Sequence, residues 1–248
     1  MENCYICSKK NLWSSTGRTK DGRREWKCRN CGHEQLEVPP QGLKIPANIL
    51  YFDIETSLIT VKQTVWALKN YNPYIDFKDI EADQYIICWA GAWVQGDSVK
   101  VFGECVTEKE AKARNDKRII KVLRDAVDKA DYIVGHNMRP YDWKTVNTRI
   151  LVNGIPAPAE PKIIDTLSLG RRKFRATSQK LEYWSKMLGG NPKDKMKRED
   201  WEAIQDTGDP KSLRKMFKYC KGDIREGANI FIKFKKFIED STGKALCK

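Results

Sequence analysis

The chain has 248 residues, 40% of them hydrophobic, and carries 46 Lys and Arg against 33 Asp and Glu, a formal charge of +13 at neutral pH. That length buries a sizeable core and suits one large domain, or one plus a small module. No run approaches ~18 uninterrupted apolar residues and the opening MENC has no apolar signal core, which argues against secretion or membrane spanning and for an intracellular, cytoplasmic protein. The basic excess favours a polyanionic partner, most simply nucleic acid.

Eight cysteines divide unevenly: Cys4, Cys7, Cys28 and Cys31 form two tight pairs, while Cys88, Cys105, Cys220 and Cys247 are scattered. This is metal-site usage in a reducing compartment and not a disulfide framework. The paired four form two C-x-x-C motifs twenty residues apart, and four thiolates suit one tetrahedral Zn²⁺. With only Leu12, Trp13 and Trp26 as large apolar residues between the pairs, residues 1–38 can barely build a core without that metal. They are predicted to form a small module, and Cys31 followed by Gly32 resembles the knuckle of a zinc ribbon. Asp21 and Gly22 read as a hairpin turn whose basic flanks either touch phosphates or are simply solvated. Whether this module grips nucleic acid or replication or repair proteins is left open by the residues.

Residues 39–47, rich in proline, read as a stiff linker, and residues 48–248 as the main domain. Its first element, Ile49 to Thr56 (ILYFDIET), is an apolar strand ending in Asp53 and Glu55. A period of two puts both carboxylates on one face, where their repulsion calls for a positive partner such as a divalent metal. A long excursion over 57–84 precedes an antiparallel hairpin of Tyr85 to Val94 and Ser98 to Phe102. Residues 108–128 are amphipathic, Ile119, Ile120, Val122, Leu123, Ala126 and Val127 opposing Lys117, Arg118, Lys121 and Arg124. Asp131 to Gly135 and Lys162 to Leu167 are short strands, and Asp142, just past Pro140, stands at the start of a helix. Three antiparallel strands followed by two helix-linked ones predict an α/β domain with a mixed five-stranded, ribonuclease-H-like sheet.

From 171 to 198 ten basic residues face only Glu182 and Asp194, with Phe174, Tyr183 and Trp184 interleaved. Such a mixture tracks a phosphate backbone and stacks bases, although Tyr183 and Trp184 read better as core. The final helix, about Pro210 to Asp240, carries an apolar stripe and, four residues apart on one face, Tyr219 and Asp223.

Three ordered motifs, FDIET at 52–56, GHNxxxYD at 135–142 and YxxxD at 219–223, resemble those of the DEDDy 3′–5′ exonucleases. Phe174 to Leu181 is also similar to the editing domains of family-B polymerases and to standalone viral relatives. The resemblance covers about 48–235 and leaves the cysteine module outside. It implies that Asp53, Glu55, Asp142 and Asp223 hold two Mg²⁺ or Mn²⁺ ions for phosphodiester hydrolysis and that Tyr219 orients the attacking water. It also implies that Asn137, and Thr56 through its backbone, touch the terminal nucleotide. The basic segment, with Arg171, Arg172, Arg175 and Lys180, is read as holding the strand, single-stranded or frayed at its 3′ end, with DNA favoured over RNA. A histidine-dependent subclass is excluded, since neither His33 nor His136 stands five residues before Asp223. Asp165 is a rival fourth ligand, read as a supporting or capping group. Two other readings stay open: a ribonuclease-H-fold endonuclease, and a noncatalytic nucleic-acid-binding adaptor.

Overall fold

A computed structural model describes residues 13–20, 23–31, 34–36, 48–62, 75–95, 98–190 and 195–238. It falls into two compact units, Met1–Pro46 and Ala47–Lys248. In the first, β1 (Trp13–Lys20), β2 (Arg23–Cys28) and β3 (Glu34–Leu36) form an antiparallel sheet in that order. Lys20 pairs with Arg23; the turn predicted at Asp21 and Gly22 lies outside the described residues. Cys28 ends β2 and is buried, and Cys31 is exposed in the turn that follows. Cys4 and Cys7 also lie outside the described residues.

The second unit begins with β4 (Ile49–Thr56). Next come a short antiparallel ribbon, β5 (Thr60–Val61) and β6 (Ile80–Ala82), and the hairpin of β7 (Ile86–Gln95) and β8 (Ser98–Cys105). The amphipathic 108–128 stretch is two helices, α1 (Glu108–Lys112) and α2 (Lys117–Val127); Val122, read on the apolar face, is exposed, because it stands one residue short of the Ile119–Leu123 stripe. A Thr107–Glu110 capping box starts α1, and Arg114 in the left-handed region, φ 49°, breaks the run. β9 (Tyr132–Gly135), α3 (Asp142–Val152), β10 (Lys162–Asp165) and α4 (Thr166–Lys173) follow. The strand predicted through Leu167 stops at Asp165 because that carboxylate caps α4, accepting from the Leu167 and Ser168 amides. Last come α5 (Leu181–Met187), α6 (Arg198–Thr207) and α7 (Pro210–Phe234). α7 starts with Pro210 after the Asp209 cap. It ends in a 3₁₀ turn at Lys235–Phe237, short of the predicted Asp240.

The sheet order is β10-β9-β4-β7-β8, with β4, β7 and β8 antiparallel and β4, β9 and β10 parallel, the mixed five-stranded arrangement predicted. Both sheet faces are covered. Cys88 of β7 meets Cys220 of α7, while the indole of the next residue, Trp89, donates to the Ile119 carbonyl of α2 at 2.9 Å on the other side. Double coverage explains why Leu50, Phe52 and Ile86 to Ala90 are all fully buried. A buried ion pair fastens the sheet to its helices: Asp116 takes Arg149 at 2.7 Å and also accepts from the Ile86 amide and Asn153. Beyond β10, Phe174 and Trp184 pack on Phe234, with ring centroids 4.8 and 4.9 Å apart, so these aromatics belong to the core.

Candidate active site

β4 runs from the apolar core to a polar end, and its pleat sends Asp53 and Glu55 to one side. α7 lies along that side, held where the Cys220 thiol donates to the Asp53 carbonyl at 3.7 Å. One oxygen each from Asp53, Glu55 and Asp223 then falls within 4.8 Å of the others. Tyr219, half-buried, precedes Asp223 by four residues, one helical turn.

Asp142 joins them from α3. It is 4% exposed, and its carboxylate accepts from its own backbone and from that of Ile54. Burial, then the charges of Asp53 and Glu55, push the Asp142 carboxyl well above the usual range, and the backbone hydrogen bonds only partly oppose this. Four carboxylates from β4, α3 and α7 thus share one cleft and repel one another. Oxygen-only donors in this crowding fit hard divalent cations such as Mg²⁺ or Mn²⁺.

Asp165 has a different place. Both its oxygens are taken by backbone amides, of Asn137 and Arg139 at 3.2 Å and of Leu167 and Ser168. It fixes the loop that carries Asn137, whose φ of 65° lies in the left-handed region. His136 is likewise a supporting group: its Nδ1 lies 3.1 Å from the Thr166 hydroxyl, which donates to the Gly135 carbonyl. Thr166 has one proton to give, so Nδ1 donates to it.

Several residues of this site carry no motif signal. Tyr51 lies beneath the carboxylates, fully buried and hydrogen-bonded to Thr166, and burial followed by the Asp53 charge holds its phenol protonated. Gly227 is required above it, since a Cβ there would collide with the Tyr51 hydroxyl. At the mouth, Gln84 donates to Thr56 Oγ1 at 2.7 Å, Tyr141 lies 3.1 Å from the same hydroxyl, and the Trp201 indole donates to the Thr56 carbonyl at 3.1 Å. Thr56 therefore spends its carbonyl within the fold. Tyr141 is the exception, being the tyrosine of the 135–142 motif; Tyr51 stands two residues before Asp53, and Gln84 and Trp201 stand far from any motif. Arg171, Arg172, Arg175 and Lys180 are exposed near the end of α4 and the start of α5.

Residues 77–234 match the RNase_H superfamily. That is more than half of the chain, which therefore belongs to that superfamily. Among solved structures it is similar to the family B DNA polymerase from the hyperthermophilic archaeon Pyrobaculum calidifontis, with TM-score 0.50 and 20% identity over 77% of this chain and 25% of the polymerase. The likeness is one of fold, and the chain spans about a quarter of the polymerase's length. Comparison with curated proteins gives no match. Among the described residues no helix is long and apolar enough to cross a membrane.

Proposed function

We propose that this chain is a DEDDy-type 3′–5′ exonuclease that removes nucleotides from single-stranded or frayed 3′ ends, DNA before RNA. The observation that carries this is the convergence of Asp53, Glu55 and Asp223 within 4.8 Å, with buried Asp142 feeling the charges of Asp53 and Glu55. These four side chains would hold two Mg²⁺ or Mn²⁺ ions, which when bound supply an activated water and stabilise charge on the leaving 3′ oxygen. Asp53, close to Glu55 and Asp223 and acting by its charge on Asp142, would be a ligand common to both positions. Tyr219, one helical turn before Asp223, would hydrogen-bond and orient the attacking water. Asn137, Thr56 and Tyr141 hold the terminal nucleotide, while Arg171, Arg172, Arg175 and Lys180 neutralise phosphates further along the strand.

The N-terminal unit is proposed as a ribbon in which Cys4, Cys7, Cys28 and Cys31 bind structural Zn²⁺, available to nucleic acid or to replication or repair proteins. Cys28 and Cys31 flank a turn after β2, which suits two thiolates on one ion. The experiment is digestion of a 5′-labelled single strand with Mn²⁺. Shortening one nucleotide at a time from the 3′ end is expected, with none by Asp53→Ala. Cleavage of a circular strand would replace the exonuclease by an endonuclease, and unchanged turnover in Asp53→Ala would remove the metal assignment.

A further inference from the structure

Three thiols that the proposed hydrolysis does not use lie in line behind the carboxylates. Cys88 of β7 stands opposite Cys105 of β8, and its thiol neighbours those of both Cys105 and Cys220. The chain of sulfurs ends at one side on the Leu213 carbonyl, 4.0 Å from Cys105, and at the other on the Asp53 carbonyl, 3.7 Å from Cys220.

Cys88 and Cys105 meet on a non-hydrogen-bonded rung of the β7–β8 ladder. The Val106 amide donates to the Ile87 carbonyl at 2.9 Å, which makes Ile87 and Val106 a hydrogen-bonded pair. Antiparallel partners alternate, so Cys88 and Cys105 form a non-hydrogen-bonded pair, the kind whose Cα atoms approach to about 4.5 Å with side chains closest. That separation lies within the span of a disulfide.

The two thiols are also unequal. Cys88 is fully buried, while Cys105 is partly open to solvent. The Arg118 guanidinium donates to the Cys105 carbonyl at 2.7 Å. The neighbouring Cys88 thiol lowers the Cys105 pKa, opposed by burial and by the Glu110 and Glu104 charges and aided by Arg118. A partly exposed thiol opposite a fully buried one on a non-hydrogen-bonded rung is the arrangement of a peroxide-sensing pair.

We propose that Cys105 and Cys88 form a dithiol that hydroperoxides oxidise to a reversible cross-strand disulfide, Cys105 reacting first and Cys88 resolving. In the first step the Cys105 sulfur attacks the terminal oxygen of the hydroperoxide. An S–O bond forms, the O–O bond breaks, and the alcohol, or water from hydrogen peroxide, departs with a solvent proton. In the second, the Cys88 sulfur displaces hydroxide from the Cys105 sulfenic acid; the S–S bond forms and the Cys88 proton leaves in the water released. The peroxide gains two electrons and each sulfur gives one. The product draws Cys88 away from Cys220, loosening one contact behind the turn of α7 that carries Tyr219 and Asp223.

The test is thiol mapping on the full chain, reduced, treated with stoichiometric hydrogen peroxide, alkylated and digested for mass spectrometry. A linked pair of peptides containing Cys88 and Cys105, abolished by dithiothreitol, is expected. In Cys105→Ala the loss of alkylatable Cys88 should slow at least tenfold, and in Cys88→Ser a sulfenic acid at Cys105 should be trapped by dimedone. The wild-type map stands by itself should either variant fold poorly. Cys105 that stays fully alkylatable, that passes to sulfinic acid with Cys88 unlinked, or that is bypassed by a Cys88–Cys220 link overturns the proposal.

Discussion

Asp223→Asn separates what the carboxylates cost from what they accomplish. Its oxygen lies within 4.8 Å of both Asp53 and Glu55. At that distance a pair of unit charges repels by about 1 kcal/mol at the dielectric of water and about 3.5 kcal/mol at an effective dielectric of 20. Losing both pairs relieves about 2–7 kcal/mol gross in the metal-free protein. Solvent screening at half-buried Asp53 and Glu55 returns most of it, leaving a net gain of roughly 1–2 kcal/mol. At roughly 2–4 °C per kcal/mol for a domain of this size, thermal unfolding in EDTA should shift upward by roughly 2–8 °C. Added Mn²⁺ reverses the order: at about a hundred times its Kd it stabilises the wild type by about 2.7 kcal/mol, and the variant far less. Nucleotide release by the variant should fall at least roughly 100-fold, about 2.7 kcal/mol of transition-state stabilisation. A variant that melts below the wild type in EDTA, or gains as much from Mn²⁺, would refute the reasoning.

Other consequences are accessible by simple measurements. Asp142 has its pKa raised in the folded state, so the folded protein holds the proton more tightly and metal-free stability should rise as pH falls from neutrality toward the unfolded carboxylate range; melting of Asp142→Asn should lack this component. Arg149→Ala leaves the buried Asp116 charge without its ion-pair partner and should cost about 3–5 kcal/mol in denaturant unfolding. Gly227→Ala forces a methyl against Tyr51 and should cost about 1–3 kcal/mol, partly recovered by Tyr51→Leu in a double-mutant cycle. Chelating zinc from the isolated chain should release about one equivalent per molecule, detected by a colorimetric zinc indicator, if the four N-terminal thiolates act as proposed.

Much of the architecture was legible because its signals are periodic. The alternation in Ile49 to Glu55, the hairpin around residues 96–97 and the apolar face of residues 119–127 each state their element, and their order states the sheet. Boundaries were less legible where one side chain decides them. Asp165 ends a strand by capping the next helix, and Arg114 splits a continuous amphipathic pattern through its backbone conformation. The carboxylates were legible because like charges in motif spacing are conspicuous. Tyr51, Gln84 and Trp201 were not, since their part comes from contacts between residues as far apart as Thr56 and Trp201, which no local pattern encodes. The thiol line through Cys88 needed the register of β7 against β8 and the seating of α7 before three scattered cysteines became neighbours.

The central claim is that four carboxylates form one two-ion site. Anomalous diffraction at the manganese edge from crystals grown with Mn²⁺ tests it most directly. Two manganese peaks are predicted, one among Asp53, Glu55 and Asp223 and one reached by Asp53 and Asp142, both absent in Asp53→Ala. Manganese bound only elsewhere, with the four carboxylates carrying no peak, would contradict it.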